Sequence, residues 1–479
     1  MEVQSNGGLG TATFNDLPST FYLQTSLSPL PSIIPPMADL IARDLAHIWH
    51  PCSQMKDYEN FPPVEVTGAA GSYLHLQDGS RLVDASSSWW CKTLGHGHPR
   101  LRAALVRQAA QFEHVISANT ANETLVGLSE KLAALCPPLD KVFYAGDGST
   151  AVEIALKMAL HAQRIKSPGG PTKRTRFIAL ENGYHGEGGL SLAVSDLGVY
   201  REPYAGVLPD PIILRGLPYV TSPADPLWHD CSAAWPALEA QLDTHARTAA
   251  ALIVEPVLQG AGGMLLYSPD LLRRLRAWTQ AHGVYLVLDE ILTGFWRTGK
   301  MLALDHAGIV PDLLCLSKGL TAGWLPFSAT LVHPDLYDIF YADYGQGRDF
   351  LHSNTYSGNA LGAAVASEAL SIYTEPGFGE GVAALSAHLS AAWSRVAEAT
   401  GALENLRTVG AVVAADLKTT IPRTGFEVFR EAVARGALLR PLGNTLYWLP
   451  PLNTDEETMG ALERITIDSI RAAQARLGF

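Results

Sequence analysis

Between residues 141 and 319, short apolar runs alternate with segments of helical period, and this alternation restricts the fold more than any other feature. The runs KVFYAG, RFIALE, AALIVEP, VYLVLDE and LLCLSKG are separated by stretches such as AVEIALKMALHAQ and SPDLLRRLRAWTQAHG. Strands this apolar need cover on both faces, and a helix between two strands returns the chain parallel. The pattern predicts an α/β domain over 91–365, with a mostly parallel sheet covered by helices. Upstream, VEVTGAAGSYLHLQDGSRLVDA reads as short strands split by Gly and Asp-Gly turns, and helical periodicity follows over 99–113 and 122–136. From 366 an Ala-rich helix gives way to short strands (AVVAADLK, GALLRPLG, TLYWLPP) and a last helix over 455–477. A smaller α+β domain over 366–479 is expected, with residues 37–90 contributing to it.

Residues 1–36 are rich in Ser, Pro, Thr and Asn and hold no Arg or Lys. They fit neither a signal peptide nor an Arg-rich transit peptide, so a loose extension is expected, with Met37 as a natural start. The net charge of -12 disfavours a phosphate-backbone partner, which would need a basic patch. Five scattered cysteines, Cys52, Cys91, Cys136, Cys231 and Cys315, with no CxxC pair, argue against a disulfide framework or a zinc site and for a reducing compartment. No apolar run approaches the roughly 18–20 residues of a membrane span. A cytoplasmic protein with neither membrane nor nucleic-acid partners is expected.

Lys318 follows the apolar run LLCL and precedes Gly319. It therefore stands at the carboxyl end of a strand, where open α/β sheets bind ligands. A partly desolvated lysine there can form a Schiff base; a surface lysine after a strand is the plainer alternative. Asp289 ends the run VYLVLDE at another strand end. A Schiff-base lysine with an acidic partner for a pyridine nitrogen is the pair that a pyridoxal-phosphate site uses. An Asp-Glu pair could instead hold Mg²⁺, although no GxxxxGK[ST] loop accompanies it.

The loop Gly146-Asp147-Gly148-Ser149-Thr150 precedes a helix, and Thr150 with Glu153 has capping-box spacing. Such a helix start is an anion site. Tyr184, between Gly183 and Gly186, can stack on a planar ring or cover the core. His185 lacks a nucleophile or metal partner in sequence, which leaves Lys318 the better proton carrier. Trp89 and Trp90, read as a strand pair with one indole on each side, suggest either a substrate wall or core packing. Arg440, in the apolar LLRPLGNTLYWLPP, suits carboxylate recognition or an internal salt bridge.

Together these residues resemble the class III aminotransferases of pyridoxal-phosphate fold type I, from about residue 45 to the C-terminus. LVLDEILTGFWRTGK followed by PDLLCLSKGL carries most of that resemblance. Within the class, HIWHPCSQM, SSSWWCKTLGHGHP, GDGSTAVEIALKMALH, NGYHGE, HSNTYSGN and LRPLGNTLYWLPP resemble the branch that serves biotin synthesis. That branch aminates 8-amino-7-oxononanoate to 7,8-diaminononanoate with S-adenosylmethionine as donor. The resemblance implies that Lys318 carries the cofactor as a Schiff base and moves the proton, while Asp289 binds the ring nitrogen. It implies that Gly148, Ser149 and Thr150 cradle the phosphate, and that Tyr184 stacks on the ring and faces the substrate. Thr355 would reach the phosphate of a neighbouring subunit, giving a homodimer with shared sites. Trp89, Trp90, Arg297, Ser353 and Arg440 would line the substrate pocket, with Arg440 on the keto acid's carboxylate. Cys52 stands where many members have Tyr, and Glu187 where Asp is common; both bear on the donor. Two alternatives are another class III ω-amino-acid or diamine transaminase, and a pyridoxal-phosphate-binding regulator without turnover.

Overall fold

The computed structural model describes residues 39–167 and 172–479; the loose extension expected over 1–36 lies outside the described residues. The chain divides into two compact units, Met1–Glu65 and Val66–Phe479. In the first, helix Leu40–His47 starts at Asp39, whose carboxylate accepts the Ile41 N–H at 3.1 Å, as an N-cap should. Cys52 follows it, exposed, with a φ of 47°.

The second unit is built on a seven-stranded sheet. Its order is Lys141–Ala145, Ser328–Val332, Leu313–Leu316, Tyr285–Asp289, Ala249–Val254, Arg176–Leu180, Ile212–Leu214. Ser328–Val332 pairs antiparallel with both neighbours, and every other pairing is parallel. Every residue of Ala249–Val254, Tyr285–Asp289 and Leu313–Leu316 is buried, which is why these strands read as unbroken apolar runs. Each fully buried Leu or Val contributes roughly 1.5–3 kcal/mol.

The connecting helices have local reasons to start and stop. Pro269–His282 is capped by the Ser268 hydroxyl, which accepts the Asp270 N–H at 3.0 Å; Pro269 occupies its first turn. It ends at Gly283, whose φ of 63° is the left-handed cap that glycine takes without strain. Gly148–Ile165 buries Val152, Ile154, Ala155, Leu156 and Ala159 between its ends. Among the described residues, no helix is long and apolar enough to cross a membrane.

After the large sheet come helices Ala360–Tyr373 and Phe378–Thr400, then a three-stranded antiparallel sheet ordered Leu403–Val409, Val412–Leu417, Thr445–Trp448. Trp393 and Trp448 meet edge-on in its core at 4.8 Å between ring centroids. Strands Val66–Ala70, Tyr73–Leu76 and Arg81–Asp84 form a separate sheet whose last member is Ala437–Leu438, parallel to Arg81–Asp84. Segments far apart in sequence thus share one small sheet. Val83 and Ala85 pack in the same core as Leu389, Trp393 and Leu446.

Candidate active site

Five strands of the large sheet end at one cavity of about 530 Å³, whose walls include Gly148, Tyr184, Glu255, Asp289 and Lys318. Lys318 lies just past Leu313–Leu316 with a φ of 41°. A left-handed conformation costs a non-glycine residue about 1–2 kcal/mol, so other bonds must hold it. Ser317 Oγ donates to the Phe327 carbonyl at 2.9 Å, and the Gly323 N–H donates to the Lys318 carbonyl at 3.2 Å. Gly319 is required for space, because a β-carbon there would come within 2.9 Å of the Phe295 ring. Lys318 Nζ stands 5.2 Å from the Trp90 ring centroid. Burial pushes the Lys318 amine below the usual lysine range, and the carboxylates of Asp289 and Glu255 pull it partly back. A lysine made less basic by desolvation is a better candidate nucleophile than an exposed one.

Asp289 is buried, with Oδ2 2.8 Å from His185 Nδ1 and Oδ1 accepting the Ile291 N–H at 3.1 Å. His185, which has no nucleophile or metal partner in the sequence, finds its partner in Asp289, 104 positions away. Its Nε2 is buried and has no hydrogen-bond partner among the described residues. Glu255, at the end of Ala249–Val254, was not singled out in the sequence at all. Its carboxylate accepts the N–H groups of Tyr184 at 3.0 Å and Gly260 at 2.9 Å, and burial raises its pKa to about 7. It carried no local signal beyond its place at a strand end.

The Mg²⁺ alternative fails on geometry. Glu290 turns away from Asp289, as neighbours on a strand do, and accepts the N–H groups of Ala303 at 2.6 Å and Leu304 at 2.8 Å. Burial raises Glu290 to about 8. A carboxyl whose folded pKa lies above its unfolded value keeps its proton while the unfolded chain loses it. Its contribution is therefore complete below about pH 4.5 and is lost as pH rises through about 8. At about 1.4 kcal/mol per unit, the wild type should lose up to roughly 2–3 kcal/mol from this group between pH 6 and 8. Glu290→Gln should flatten that part of the slope in thermal melts; an unchanged slope would assign it to other groups.

At the helix start, Asp147 is the N-cap, correcting the Thr150–Glu153 capping box. Its carboxylate accepts the Thr150 N–H at 2.9 Å and the Thr150 hydroxyl at 2.8 Å. The first turn of a helix has no intrahelical acceptors, and Gly148 and Ser149 line the cavity there, whereas Thr150 does not. Ser149 Oγ lies 2.7 Å from Ser191 Oγ and accepts the Gly188 N–H at 2.9 Å. Gly186 passes so close that a β-carbon would fall 2.6 Å from Ser149 Oγ. Tyr184 lines the cavity, and its hydroxyl donates to Glu187 Oε1 at 2.8 Å.

Trp89 and Trp90 are not on a strand. Ser87, Ser88, Trp89 and Trp90 are all left-handed, with φ of 49°, 46°, 67° and 74°. Trp90 is buried on the cavity wall, donating from Nε1 to Tyr447 Oη at 3.0 Å, while Trp89 is 44% exposed. The Arg440 guanidinium lies 4.9 Å from the Trp89 ring centroid. Arg297 requires a correction: it is fully buried and off the cavity wall, donating from Nη1 to the carbonyls of Ala411 at 3.3 Å and Pro450 at 2.8 Å. Burial lowers it to about 9. Ser353 and Thr355 are exposed and do not line this cavity.

The cavity fits a flat pyridine ring bearing a phosphate. It offers a desolvated lysine, a buried aspartate held by histidine, an aromatic wall and a helix N-terminus beside close-packed glycines. That site, at the carboxyl edge of a mostly parallel sheet, defines a pyridoxal-phosphate enzyme of the transaminase fold. The aminotransferase class-III family matches residues 53–467, and the chain belongs to that family. It is 38% identical over 442 residues to the adenosylmethionine-8-amino-7-oxononanoate aminotransferase of Helicobacter pylori, covering 90% of this chain and 98% of that one. The enzyme of the same name from Nitratidesulfovibrio vulgaris is 36% identical, covering 89% of this chain and 80% of that one. Among solved structures, the one so named from Methanocaldococcus jannaschii superposes with a TM-score of 0.82 at 28% identity, covering 90% of this chain and 98% of that one. An amine transaminase from an uncultivated Pseudomonas species, solved with pyridoxal phosphate bound, gives 0.80 at 29%, covering 90% and 98%. The protein is an aminotransferase, and its cofactor is pyridoxal phosphate.

Proposed function

We propose that this aminotransferase converts 8-amino-7-oxononanoate to 7,8-diaminononanoate in biotin synthesis, in the cytoplasm, with S-adenosylmethionine as amino donor. One observation carries the substrate reading. Lys318 Nζ faces Trp90, and the adjacent Trp89 lies under Arg440, at 5.2 and 4.9 Å respectively. A reactive amine, an apolar wall and a terminal cation in that order suit a ketone at one end of an alkyl chain and a carboxylate at the other. The names of the relatives support the same reading.

Pyridoxal phosphate, when bound, would supply an aldehyde to carry the amino group and a ring to act as electron sink. Lys318 would hold the cofactor and carry the proton, its amine made less basic by burial on the cavity wall. Asp289 keeps the ring nitrogen protonated, and His185 orients the Asp289 carboxylate. The N–H groups of Gly148 and Ser149 receive the phosphate, and Tyr184 covers the ring. Trp90 excludes water along the alkyl chain, Trp89 continues that wall toward solvent, and Arg440 pairs with the carboxylate. Thr355 and Ser353 act in a homodimer, reaching the neighbouring subunit's site; exposed Leu351 and Tyr356 beside them support a covered face.

The test is turnover of purified protein with 8-amino-7-oxononanoate against S-adenosylmethionine and other amino donors. In the same assay Arg440→Ala should raise KM for the keto acid with little change in kcat, because the ion pair exists in ground and transition states alike. A charge-assisted hydrogen bond contributes about 1.5–3 kcal/mol, so kcat/KM should fall roughly 10- to 150-fold. Lysine at this position should recover part of the loss. Equal falls in both half-reactions would make Arg440 a structural residue.

A further inference from the structure

The left-handed run Ser87–Trp90 contains no glycine, so its backbone conformation opposes the residues that adopt it. Such a segment persists only where its surroundings over-determine it. The principal agent is Asp84, at the end of strand Arg81–Asp84 and completely buried. Its Oδ1 accepts the Ser88 N–H at 2.9 Å and the Ser86 hydroxyl at 3.3 Å. Its Oδ2 accepts the Ser88 hydroxyl at 2.7 Å and lies 2.9 Å from His96 Nε2. Both oxygens are thus doubly used, which is the acceptor capacity of a carboxylate. Three further bonds close the turn. Ser87 Oγ donates to the Leu449 carbonyl at 2.7 Å, Cys91 Sγ to the Ser88 carbonyl at 3.0 Å, and Trp90 Nε1 to Tyr447 Oη at 3.0 Å.

Asp84 does not line the cavity. We propose that it is a positioning residue for the amino acceptor: its buried carboxylate holds the left-handed turn that sets Trp90 against Lys318 and Trp89 under Arg440. This rests on the reading of that wall as the acceptor's binding surface. A right-handed or extended path through Ser88 would rotate both indoles away from these partners. The alkyl chain would then lose its wall while Lys318, Asp289 and the phosphate-binding helix start stayed in place.

Asp84→Asn keeps the shape and volume of the side chain but removes its charge and puts an amide donor in place of one oxygen, so one pair of its four bonds must be lost or reversed. KM for 8-amino-7-oxononanoate should rise roughly 10- to 100-fold with kcat within about threefold, the signature of lost uniform binding. Calorimetric binding of nonanoate, an unreactive carboxylate with the same carbon count, should weaken by a similar factor. The visible absorbance of the lysine-bound cofactor should be retained. Should Asp84→Asn not fold, Ser88→Ala removes one of the four bonds to the carboxylate and should give a smaller KM rise of the same kind. An unchanged KM and nonanoate affinity would overturn the proposal. So would a proportional fall of kcat, cofactor absorbance and acceptor affinity, which would make Asp84 a general fold element. If the wild type does not use 8-amino-7-oxononanoate, the substrate reading fails separately; the same KM-against-kcat comparison then runs with the best acceptor it does use.

Discussion

Lys318→Ala should abolish turnover, by roughly 10⁴-fold or more, while the protein still takes up pyridoxal phosphate. Two roles are lost together, the covalent hold on the cofactor and the proton carrier, and acid–base assistance alone accounts for about 10²–10⁴-fold. Uptake should survive because the helix start at Gly148 and the Asp289–His185 pair are untouched. Lys318 lines the cavity and Lys92 does not; the Lys92 Nζ donates to the Gly323 carbonyl at 2.7 Å. Borohydride reduction of the wild type followed by peptide mapping should place the pyridoxyl label on Lys318. A label on Lys92 or any other lysine would sink the assignment.

Asp289→Asn should retain cofactor weakly and lose most turnover. The amide can still accept a hydrogen bond from His185, so the geometry persists and the charge does not. An ion pair at about 4 Å is worth about 4 kcal/mol at an effective dielectric of 20, which is roughly 10³-fold in rate. Both half-reactions should fall together, because each uses the same protonated ring. Near-normal turnover would show that another group holds the proton, and the first to replace would then be Glu255, whose pKa of about 7 lets it carry charge.

The parallel core was legible because burial on both faces writes itself as apolar runs, and the helices between them because their period and caps are local. The strand-end positions of Lys318 and Asp289 followed directly from where those runs stop. The differences fall where the deciding contact is a side-chain hydrogen bond, near or distant in sequence, that hydrophobic periodicity does not encode. Trp89 and Trp90 lie on a left-handed turn rather than the expected strand, because nearby Asp84 and distant Leu449 and Tyr447 together hold it. Arg297 was placed in the pocket from resemblance, whereas the carbonyls of Ala411 and Pro450 engage it in the core. Thr150 is not the cap, because the helix starts earlier and the Asp147 carboxylate, one residue before it, accepts the N–H of Thr150 itself.

By itself, then, the sequence determined five of the seven strands of the large sheet and which lysine and aspartate end two of them, since hydrophobic periodicity and turn chemistry act over a few residues; Ile212–Leu214 and Ser328–Val332 emerged only in the structure. Tertiary structure decided everything that depends on two distant groups meeting. It brought His185 to Asp289 and made Glu255 a buried carboxyl between two loops. It bent a glycine-free turn into a conformation its own residues disfavour, held by a buried carboxylate with four donors around it and by bonds to Leu449 and Tyr447 more than 350 positions away.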